Sequence, residues 1–432
     1  MLKPHPEQHR MWHDNPRFQI VHAGRRSGKT EIGLKRRCVV EACKFTAFPD
    51  GRFVLGAPIS QQAKRIFFRD IGLLIPEYML DGKPNKSELK YNLKNGAHIQ
   101  ICGLDEAARI EGDPIDWIGI TEMGNVKPGS WGEHIRPAIS TPGRLGAAVL
   151  EGVPEGAQGD YYETMQLFEE LQAEKPDQYG VYWWKSSDIL DPDEITDAKR
   201  SLDTRTFRQE YEGSFESWEG RAYYSFVESK NVRPIKHLYK SEGTLIICFD
   251  FNVEPGSAVL GFHDEKGRDC LFDEVHIERD SNTLIVCRRI LEKYGSHQGS
   301  VFVYGDATGG ARGTAKVSGS DWDLISGRDG MLSQHFGRRL KLRVPAANPR
   351  ERARVNAVNS RLRAANGDVN MLIDPQCKET IKDFNSVGCE ANGSIDKKTN
   401  KKRTHWTDAL GYEVVFEHPI VANVTTTEHE LF

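Results

Sequence analysis

Long hydrophobic runs are absent from this 432-residue sequence. No apolar segment approaches the roughly 18 residues that a membrane-spanning helix needs, and the first residues, MLKPHP, lack the apolar stretch of a secretory signal. The eight cysteines include no C-x-x-C pair, which favours reduced thiols in a cytosol over a disulfide framework or a zinc site. A large net charge is absent too, because 58 Lys and Arg face 62 Asp and Glu, a balance of −4. The bulk charge therefore indicates no nucleic-acid partner, and any basic surface must be local.

Short β-rich apolar segments, separated by stretches with helical periodicity, recur along the whole sequence. Hydrophobic residues make up 38% and charged residues 28%, which is typical of a globular protein. The alternation predicts an α/β fold with mostly parallel sheets. A polar stretch near 215–240 separates two such regions, so we expect a first domain over residues 1–215, a linker over 216–240 and a second domain over 241–432.

A phosphate-binding loop is predicted at residues 23–30, AGRRSGKT, between an apolar strand and a helical segment. The pattern G-x-x-x-x-G-K-[ST] fits, except that Ala23 stands at the first glycine. Such a loop turns backbone N–H groups toward phosphate oxygens at a helix N-terminus. Lys29 would reach the β- and γ-phosphates, and the hydroxyl of Thr30 would hold Mg²⁺.

A nucleoside triphosphatase also needs carboxylates after a second strand. The apolar segment Trp117–Ile120 is followed by Thr121 and Glu122. We interpret Glu122 as the catalytic base that polarises the attacking water. Thr121 occupies the place where an aspartate is usual, so Mg²⁺ would be supported either by Thr121 through water or by Asp116 from the start of the strand.

Carboxylates recur at strand and helix ends in the second half of the chain. Asp250 and Asp306 each end a buried apolar segment, and such a place is costly for a charge unless it binds a cation. Glu274 lies on a strand between them, with Asp273 as a competitor, and Asp408 opens a late helix. The set predicts a metal site formed by Asp250, Glu274, Asp306 and Asp408. Two divalent ions about 4 Å apart at such a site would cut a phosphodiester, with Mg²⁺ or Mn²⁺ as the metal.

Basic residues are concentrated close to these carboxylates in the sequence. Segment 338–363 contains nine Arg and Lys against one acid, and segment 397–403 adds five more positive charges. A basic face beside an acidic metal site is what cleavage of a polyanion requires, although a solvated helix face is the alternative. The predicted DNA contacts are Arg352, Arg354, Arg361, Arg363, Lys401, Lys402 and Arg403.

A phosphate loop followed by an acidic metal site resembles the large terminase subunit of tailed bacteriophages over nearly the whole chain. The resemblance rests on segment 24–30, on Glu122 and on the trio Asp250, Asp306 and Asp408. It implies a P-loop NTPase domain followed by a ribonuclease H-like nuclease domain.

Further residues receive roles from this resemblance. The ATP-binding set would be Gln8, Gly24, Arg25, Arg26, Ser27, Gly28, Lys29 and Thr30, with Gln8 recognising adenine. Arg136 matches an arginine that acts as a finger on the ATP of a neighbouring subunit, and Arg144 competes for that role. His405 would assist the nuclease. Segment 151–156 lies where the family has its coupling motif, although Val153 replaces the usual threonine.

The resemblance implies a viral motor that uses ATP and Mg²⁺ to drive double-stranded DNA into a procapsid and an endonuclease that cuts the concatemeric genome. The implied partners are double-stranded DNA, a small terminase subunit, a portal protein and further copies of the chain in a ring, with no membrane. The implied location is the host cell cytoplasm, with transient docking on the procapsid portal. The alternatives are a cellular helicase-nuclease or repair ATPase, and a transposase or resolvase whose nucleotide fold only binds.

Overall fold

The computed structural model describes residues 5–157, 159–217, 219–251, 255–310, 320–390, 394–397 and 403–419. No helix within these ranges is long and apolar enough to cross a membrane. The chain divides into two compact units, Met1–Ile195 with Phe207–Ser217 and Thr196–Thr206 with Trp218–Phe432. Residues 196–206 and most of the expected linker thus belong with the second unit. Backbone bridges explain this grouping, because Asp203 pairs with Ala364 and Val232 pairs with Ile373.

The first unit contains β1 (Phe18–Ala23), β2 (Arg52–Ala57), β3 (Lys90–Asn92), β4 (His98–Gly103), β5 (Trp117–Ile120), β6 (Ser140–Thr141), β7 (Arg144–Leu145), β8 (Ala147–Gly152) and β9 (Tyr179–Trp184). Its helices are α1 (Pro6–Asp14), α2 (Arg37–Lys44), α3 (Ser60–Ala63), α4 (Arg69–Leu74), α5 (Arg136–Ala138) and α6 (Asp160–Glu174). Wider π-helical turns occupy Thr30–Arg36, Lys64–Phe68 and Ser130–Ile135, and 3-10 turns occupy Glu77–Met79, Ala107–Ile110, Met123–Asn125 and Ser186–Asp188. Helices α7 (Pro192–Ser201) and α8 (Thr204–Glu212) cross the division between the units.

The described part of the first unit is built on a seven-stranded sheet in the order β3-β4-β2-β5-β8-β1-β9, in which β3 alone is antiparallel to its neighbour. Strand residues are buried on both faces because successive side chains enter opposite cores: Ile20 and Val54 pack in one, Val21 and Leu55 in the other. The central order β5-β8-β1 brings three carboxyl ends together at one edge. That edge is where an open α/β sheet binds its ligand.

The second unit contains β10 (Gly220–Arg221), β11 (Thr244–Asp250), β12 (Gly256–His263), β13 (Asp269–Ile277), β14 (Ser300–Gly305), β15 (Leu340–Leu342), β16 (Met371–Ile373) and β17 (Gly388–Cys389). Its helices are α9 (Glu228–Asn231), α10 (Thr283–Tyr294), α11 (Asp321–Ser326), α12 (Met331–Phe336), α13 (Glu351–Leu362), α14 (Lys378–Ser386) and α15 (His405–Glu417), with 3-10 turns at Lys236–Leu238, Ala307–Gly310 and Gly337–Arg339.

The main sheet of the second unit has the order β15-β14-β11-β12-β13-β16 among the described strands. Strands β11 and β14 are parallel with Phe249 opposite Gly305, whereas β12 is antiparallel to both of its neighbours. Helix α15 packs on this sheet, because Trp406 and Leu410 share a core cluster with strand residues such as Cys248. The α/β fold class predicted from the sequence is confirmed, although the second sheet is mixed where mostly parallel strands were expected.

Candidate functional site

The predicted phosphate loop lies at the carboxyl end of β1 and leads into the helical turn that starts at Thr30. Gly28 has a φ of 73°, a left-handed conformation that favours glycine. The Ser27 carbonyl accepts hydrogen bonds from Gln8 Nε2 at 2.7 Å and from Trp184 Nε1 at 3.0 Å. Helix α1 and strand β9 therefore hold the backbone of the loop in place.

Lys29 is buried, and its Nζ donates to the Gly24 carbonyl at 3.3 Å. The ammonium group is thus turned toward the loop backbone, where phosphate oxygens are expected. Arg25 is turned elsewhere, because its guanidinium forms an ion pair with Glu210 and its backbone N–H donates to the Glu210 carbonyl at 2.6 Å. Arg26 is exposed and has a left-handed φ of 53°.

Gln8 uses both ends of its side-chain amide in this structure. Its Nε2 donates to the phosphate loop at Ser27, and its Oε1 accepts the backbone N–H of His5 at 2.9 Å. The side chain is 2% exposed, so little of its surface is open to a base. Gln8 therefore links α1 to the loop, and adenine recognition stays a prediction.

Glu151 supplies a carboxylate beside Thr30 and Thr121, although a magnesium-supporting group was expected from β5, at Thr121 or Asp116. Its Oε1 accepts the hydroxyl of Thr30 at 2.7 Å and the hydroxyl of Thr121 at 2.5 Å. The side chain is fully buried in β8, and this burial raises the pKa of the carboxyl. From the sequence, Glu151 was expected only as the first residue of a coupling segment. The overlooked signal was an acid inside a buried apolar strand, the same signal that identified Asp250.

Glu122 follows β5 at the same edge of the sheet and is half-buried. Its φ of 53° places a non-glycine residue in the left-handed region. Such a conformation costs on the order of 1–3 kcal/mol and is found preferentially at functional sites. The position is compatible with the predicted role of Glu122 as the catalytic base, which stays a prediction.

Asp116 lies at the amino end of β5, on the far side of the sheet edge that carries the phosphate loop. Its Oδ2 accepts the backbone N–H of Arg52 at 2.7 Å and pairs with Arg144 Nη2 at 2.8 Å. The alternative that Asp116 supports Mg²⁺ is therefore wrong, because the strand separates its carboxylate from Thr30.

Arg136 and Arg144 both lie at this amino-terminal edge, away from the phosphate loop of their own chain. The Arg136 guanidinium is 4.3 Å from the ring centroid of Phe18, the first residue of β1, and it also donates to Ser140. Arg144 is held by ion pairs to two carboxylates. Arg136 as a finger toward a neighbouring subunit stays a prediction.

The aspartates predicted for the nuclease lie at one end of the second sheet and on the helix that packs there. Asp250 ends β11, and Asp306 follows β14 one residue beyond the Phe249–Gly305 pair. His405 Nδ1 lies 3.0 Å from Asp250 Oδ2. Tyr412, one turn after Asp408 on α15, donates to Asp306 Oδ2 at 3.1 Å. The three aspartates thus meet around the first turns of α15.

Asp408 is nearly buried and faces two cationic side chains. Arg354 Nη1 lies 3.1 Å from its Oδ1, and Lys397 Nζ lies 4.0 Å from its Oδ2. Burial raises the pKa of Asp408, the Arg354 and Lys397 charges lower it, and the nearby Asp250 charge raises it again. The oxygens of Asp250, Asp306 and Asp408 do not form a group in which all lie within 4.8 Å of one another. As the side chains stand, they surround a site without closing on it.

Glu274 does not join these aspartates, so its prediction as a metal ligand is wrong. Its carboxylate accepts the backbone N–H of Glu379 at 2.8 Å, and the backbone N–H and hydroxyl of Thr380 at 2.9 and 2.8 Å. These are donors of the first turn of α14, so Glu274 caps that helix. Asp273, its competitor, binds Lys293 and Tyr294 on α10.

The predicted basic face of α13 is wrong for two of its arginines. Arg354 is buried against Asp408, and Arg361 Nε donates to the buried Asp269 at 2.7 Å. Arg352 is half-buried and Arg363 is exposed. Helical periodicity predicts which face of the helix a residue occupies, but it does not predict which side chain that residue contacts. Each of these two guanidinium groups forms an ion pair with a carboxylate inside the second unit.

The basic segment 397–403 is described only in part, and Lys401 and Lys402 lie outside the described residues. Arg403 forms ion pairs with Glu379 at 2.9 Å and with Asp383 at 3.4 Å. Its role in DNA binding stays a prediction.

A second cluster of titratable groups surrounds Asp269. Nε2 of His263 and Nε2 of His418 each lie 3.2 Å from Asp269 Oδ1, and His263 Nε2 is also 3.2 Å from Glu413 Oε1. Arg361 occupies the other oxygen of Asp269. Hydrogen bonds to Asp269 and Glu413 raise the pKa of His263 to about 10. The positive charge of Arg361 beside Asp269 would repel a divalent cation. We therefore interpret the cluster as an ion-pair network.

Known proteins resemble this chain in sequence and in fold. No protein-family model matches it. The large terminase subunit of Escherichia phage T5 is 24% identical over an alignment of 259 residues that covers 57% of this chain and 56% of that protein. The chain thus matches little more than half of that relative's length.

The large terminase of a thermophilic bacteriophage superposes with a TM-score of 0.55 and 14% identity, over 96% of this chain and 99% of that one. The same phage protein in complex with ADP gives a TM-score of 0.55, and in complex with ATP-gamma-S 0.53. The chain therefore has the fold of a large terminase over 96% of its length, and the predicted resemblance to large terminase subunits is confirmed.

Proposed function

We propose that this protein is a viral DNA-packaging motor subunit that hydrolyses ATP to translocate double-stranded DNA and cuts that DNA with a metal-dependent nuclease. The observation that carries the proposal is the phosphate loop, with buried Lys29 and the Thr30 hydroxyl at the carboxyl edge of a parallel sheet. The fold of a large terminase over 96% of the chain supports the same function.

In the ATPase, Lys29 and the loop N–H groups would bind the phosphates, and Glu122 would orient and polarise the attacking water. The residues present fit Mg²⁺, because the Thr30 hydroxyl and the carboxylate of Glu151 lie together and Glu151 Oε2 has no hydrogen-bond partner among the described residues. Mg²⁺, when bound, neutralises the charge that develops on the transferred phosphoryl group.

In the nuclease, Asp250, Asp306 and Asp408 would hold the divalent ions, Mg²⁺ or Mn²⁺. Carboxylate oxygens are the ligands that these hard cations prefer. Such ions, when bound, activate water and stabilise the leaving oxygen of a phosphodiester. His405 would orient Asp250 through the contact at 3.0 Å, and Arg354 would orient Asp408 through the contact at 3.1 Å. The basic residues that remain accessible, Arg363 foremost, would contact the DNA backbone.

The partners follow from the resemblance to large terminases. We propose a small terminase subunit that recognises DNA, a portal ring on which the motor docks, and a ring of copies of this chain. The protein would work in the host cell cytoplasm and dock transiently on the procapsid portal. The mutual position of neighbours in the ring would decide whether Arg136 reaches the ATP of the next subunit.

Two single variants of the full chain test the two activities separately. Lys29→Ala should lower ATP hydrolysis by at least about a hundredfold while metal-dependent cutting of plasmid DNA continues. Asp250→Ala should stop cutting with Mg²⁺ or Mn²⁺ while hydrolysis continues. Lys94→Ala and Asp329→Asn, at exposed positions in the first and second units, are the matched controls. Unchanged hydrolysis in Lys29→Ala, or unchanged cutting in Asp250→Ala, would refute the corresponding site.

A further inference from the structure

Glu151 is an ionisable side chain in an unusual place for one. It is 1% exposed and lies in β8, whose neighbours in the sheet are β5 and β1. Burying a carboxylate is costly unless a cation or hydrogen bonds compensate for the loss of water. The two bonds it accepts both end on Oε1, and Oε2 has no partner among the described residues. The nearby cation whose charge favours its ionised form is Lys29.

The two hydroxyls that Glu151 binds are the ones that matter for magnesium. Thr30 is the hydroxyl of the phosphate loop, and Thr121 stands at the end of β5 where an aspartate is usual in this kind of site. A threonine hydroxyl has one hydrogen to donate and two lone pairs to offer. By accepting the hydrogen of each, Glu151 leaves the lone pairs of both hydroxyl oxygens available to a cation.

The register of the sheet explains how a carboxylate on β8 can replace one on β5. Ile120 is opposite Leu150 and Val21 is opposite Glu151 in parallel pairs. Thr121, the residue that follows β5, is therefore level with Glu151. The carboxylate that is expected after β5 is thus found on the neighbouring strand β8, at the same level along the sheet.

We propose that Glu151 is the carboxylate that positions Mg²⁺ at the ATP site, in place of the aspartate missing at Thr121. Its free oxygen Oε2 would accept hydrogen bonds from water molecules of the ion or bind the ion itself, since Mg²⁺ usually keeps several waters beside one or two carboxylates. The inference rests on the proposed ATPase function. If the inference is right, a carboxylate at position 151 on β8 and one at position 121 after β5 should serve the same role.

Binding of ADP to the full chain, measured by calorimetry with EDTA or with Mg²⁺, tests this without relying on turnover. Glu151→Gln should bind ADP in EDTA as the parent does, and its ADP complex should bind Mg²⁺ about 10–100-fold more weakly, the cost usual for loss of a group that supports a metal ligand. Glu170→Gln, at an exposed glutamate of α6, is the matched control and should behave as the parent.

The exchange variant Glu151→Gln with Thr121→Asp distinguishes a metal-positioning role from a structural one. If Glu151 positions the ion, the added aspartate should restore Mg²⁺-dependent ADP binding. Equal loss of ADP binding with and without Mg²⁺, with no recovery in the exchange variant, would overturn the inference, as would unchanged Mg²⁺ affinity in Glu151→Gln. Failure of the parent itself to bind ADP would instead refute the proposed function.

Discussion

Arg354→Ala removes the guanidinium that faces Asp408 inside the second unit, and it should destabilise that unit strongly. The two side chains are 10% and 13% exposed and their charged atoms are 3.1 Å apart. Removing one member of such a pair leaves a buried charge and costs about 3–5 kcal/mol. Lys397, 4.0 Å from the other oxygen, compensates in part and favours the lower end of this range. The guanidinium also lies 4.5 Å from the ring centroid of Tyr412, a contact worth roughly 1 kcal/mol.

The expected loss is therefore about 4 kcal/mol, which corresponds to a fall of roughly 8–16 °C in the unfolding temperature of a unit of this size. Calorimetric melting of the full chain in EDTA measures it. Arg363→Ala, at the exposed end of the same helix, is the control and should stay within about 0.5 kcal/mol of the parent. The double variant Arg354→Met with Asp408→Asn should recover much of the loss, because no buried charge remains. Equal melting of Arg354→Ala and Arg363→Ala would refute this account of the pair.

Three further outcomes can be checked on the same protein. Glu274→Ala should lose about 1–2 kcal/mol of stability as a helix-capping residue does, and its plasmid cutting should keep the metal dependence of the parent; loss of metal affinity would return Glu274 to the metal site. His263→Gln should lower the unfolding temperature most at or below pH 6.5, and the difference should disappear as the pH rises toward about 10, because the raised pKa of His263 means that its protonated form stabilises the fold. A difference that grows with pH would contradict the ion-pair network around Asp269 and Glu413. Gly28→Ala should weaken ADP binding, because the φ of 73° at this position strains an alanine by roughly 1–2 kcal/mol. The added Cβ would also lie 3.1 Å from Gln8 Nε2. An unchanged dissociation constant for ADP in calorimetry would contradict this account of the loop geometry.

Features that depend on short stretches of chain could be predicted from the sequence. The phosphate loop is a strand, a turn and a helix in direct succession. The local sequence motif was therefore enough to place Lys29 and Thr30 at the edge of the sheet. Asp250 and Asp306 were found because each ends a buried strand, and because the ends of parallel neighbouring strands meet. The resemblance to large terminases rested on the same local patterns.

Features that depend on pairing between distant segments were missed or assigned wrongly. Glu274 was predicted as a ligand because it stands on a strand near the other acids in sequence, but its strand directs it to α14. Arg354 and Arg361 were predicted to face DNA because helical spacing put them off the apolar stripe, yet each has a buried carboxylate opposite it. The sequence left open whether Asp116 or Thr121 supports Mg²⁺, because the choice depends on which end of β5 lies beside the phosphate loop.

The sequence by itself determined the α/β class, the phosphate loop and the positions of three strand-end or helix-start aspartates, because hydrophobic periodicity and turn chemistry act over a few residues. The tertiary structure decided which charges meet. The strand order β5-β8-β1 brings Glu151 into contact with Thr30, which lies 121 positions away along the chain. It also brings Glu151 into contact with Thr121, which lies 30 positions away. Strand order and register are set by the packing of whole sheets, so no local pattern contains them.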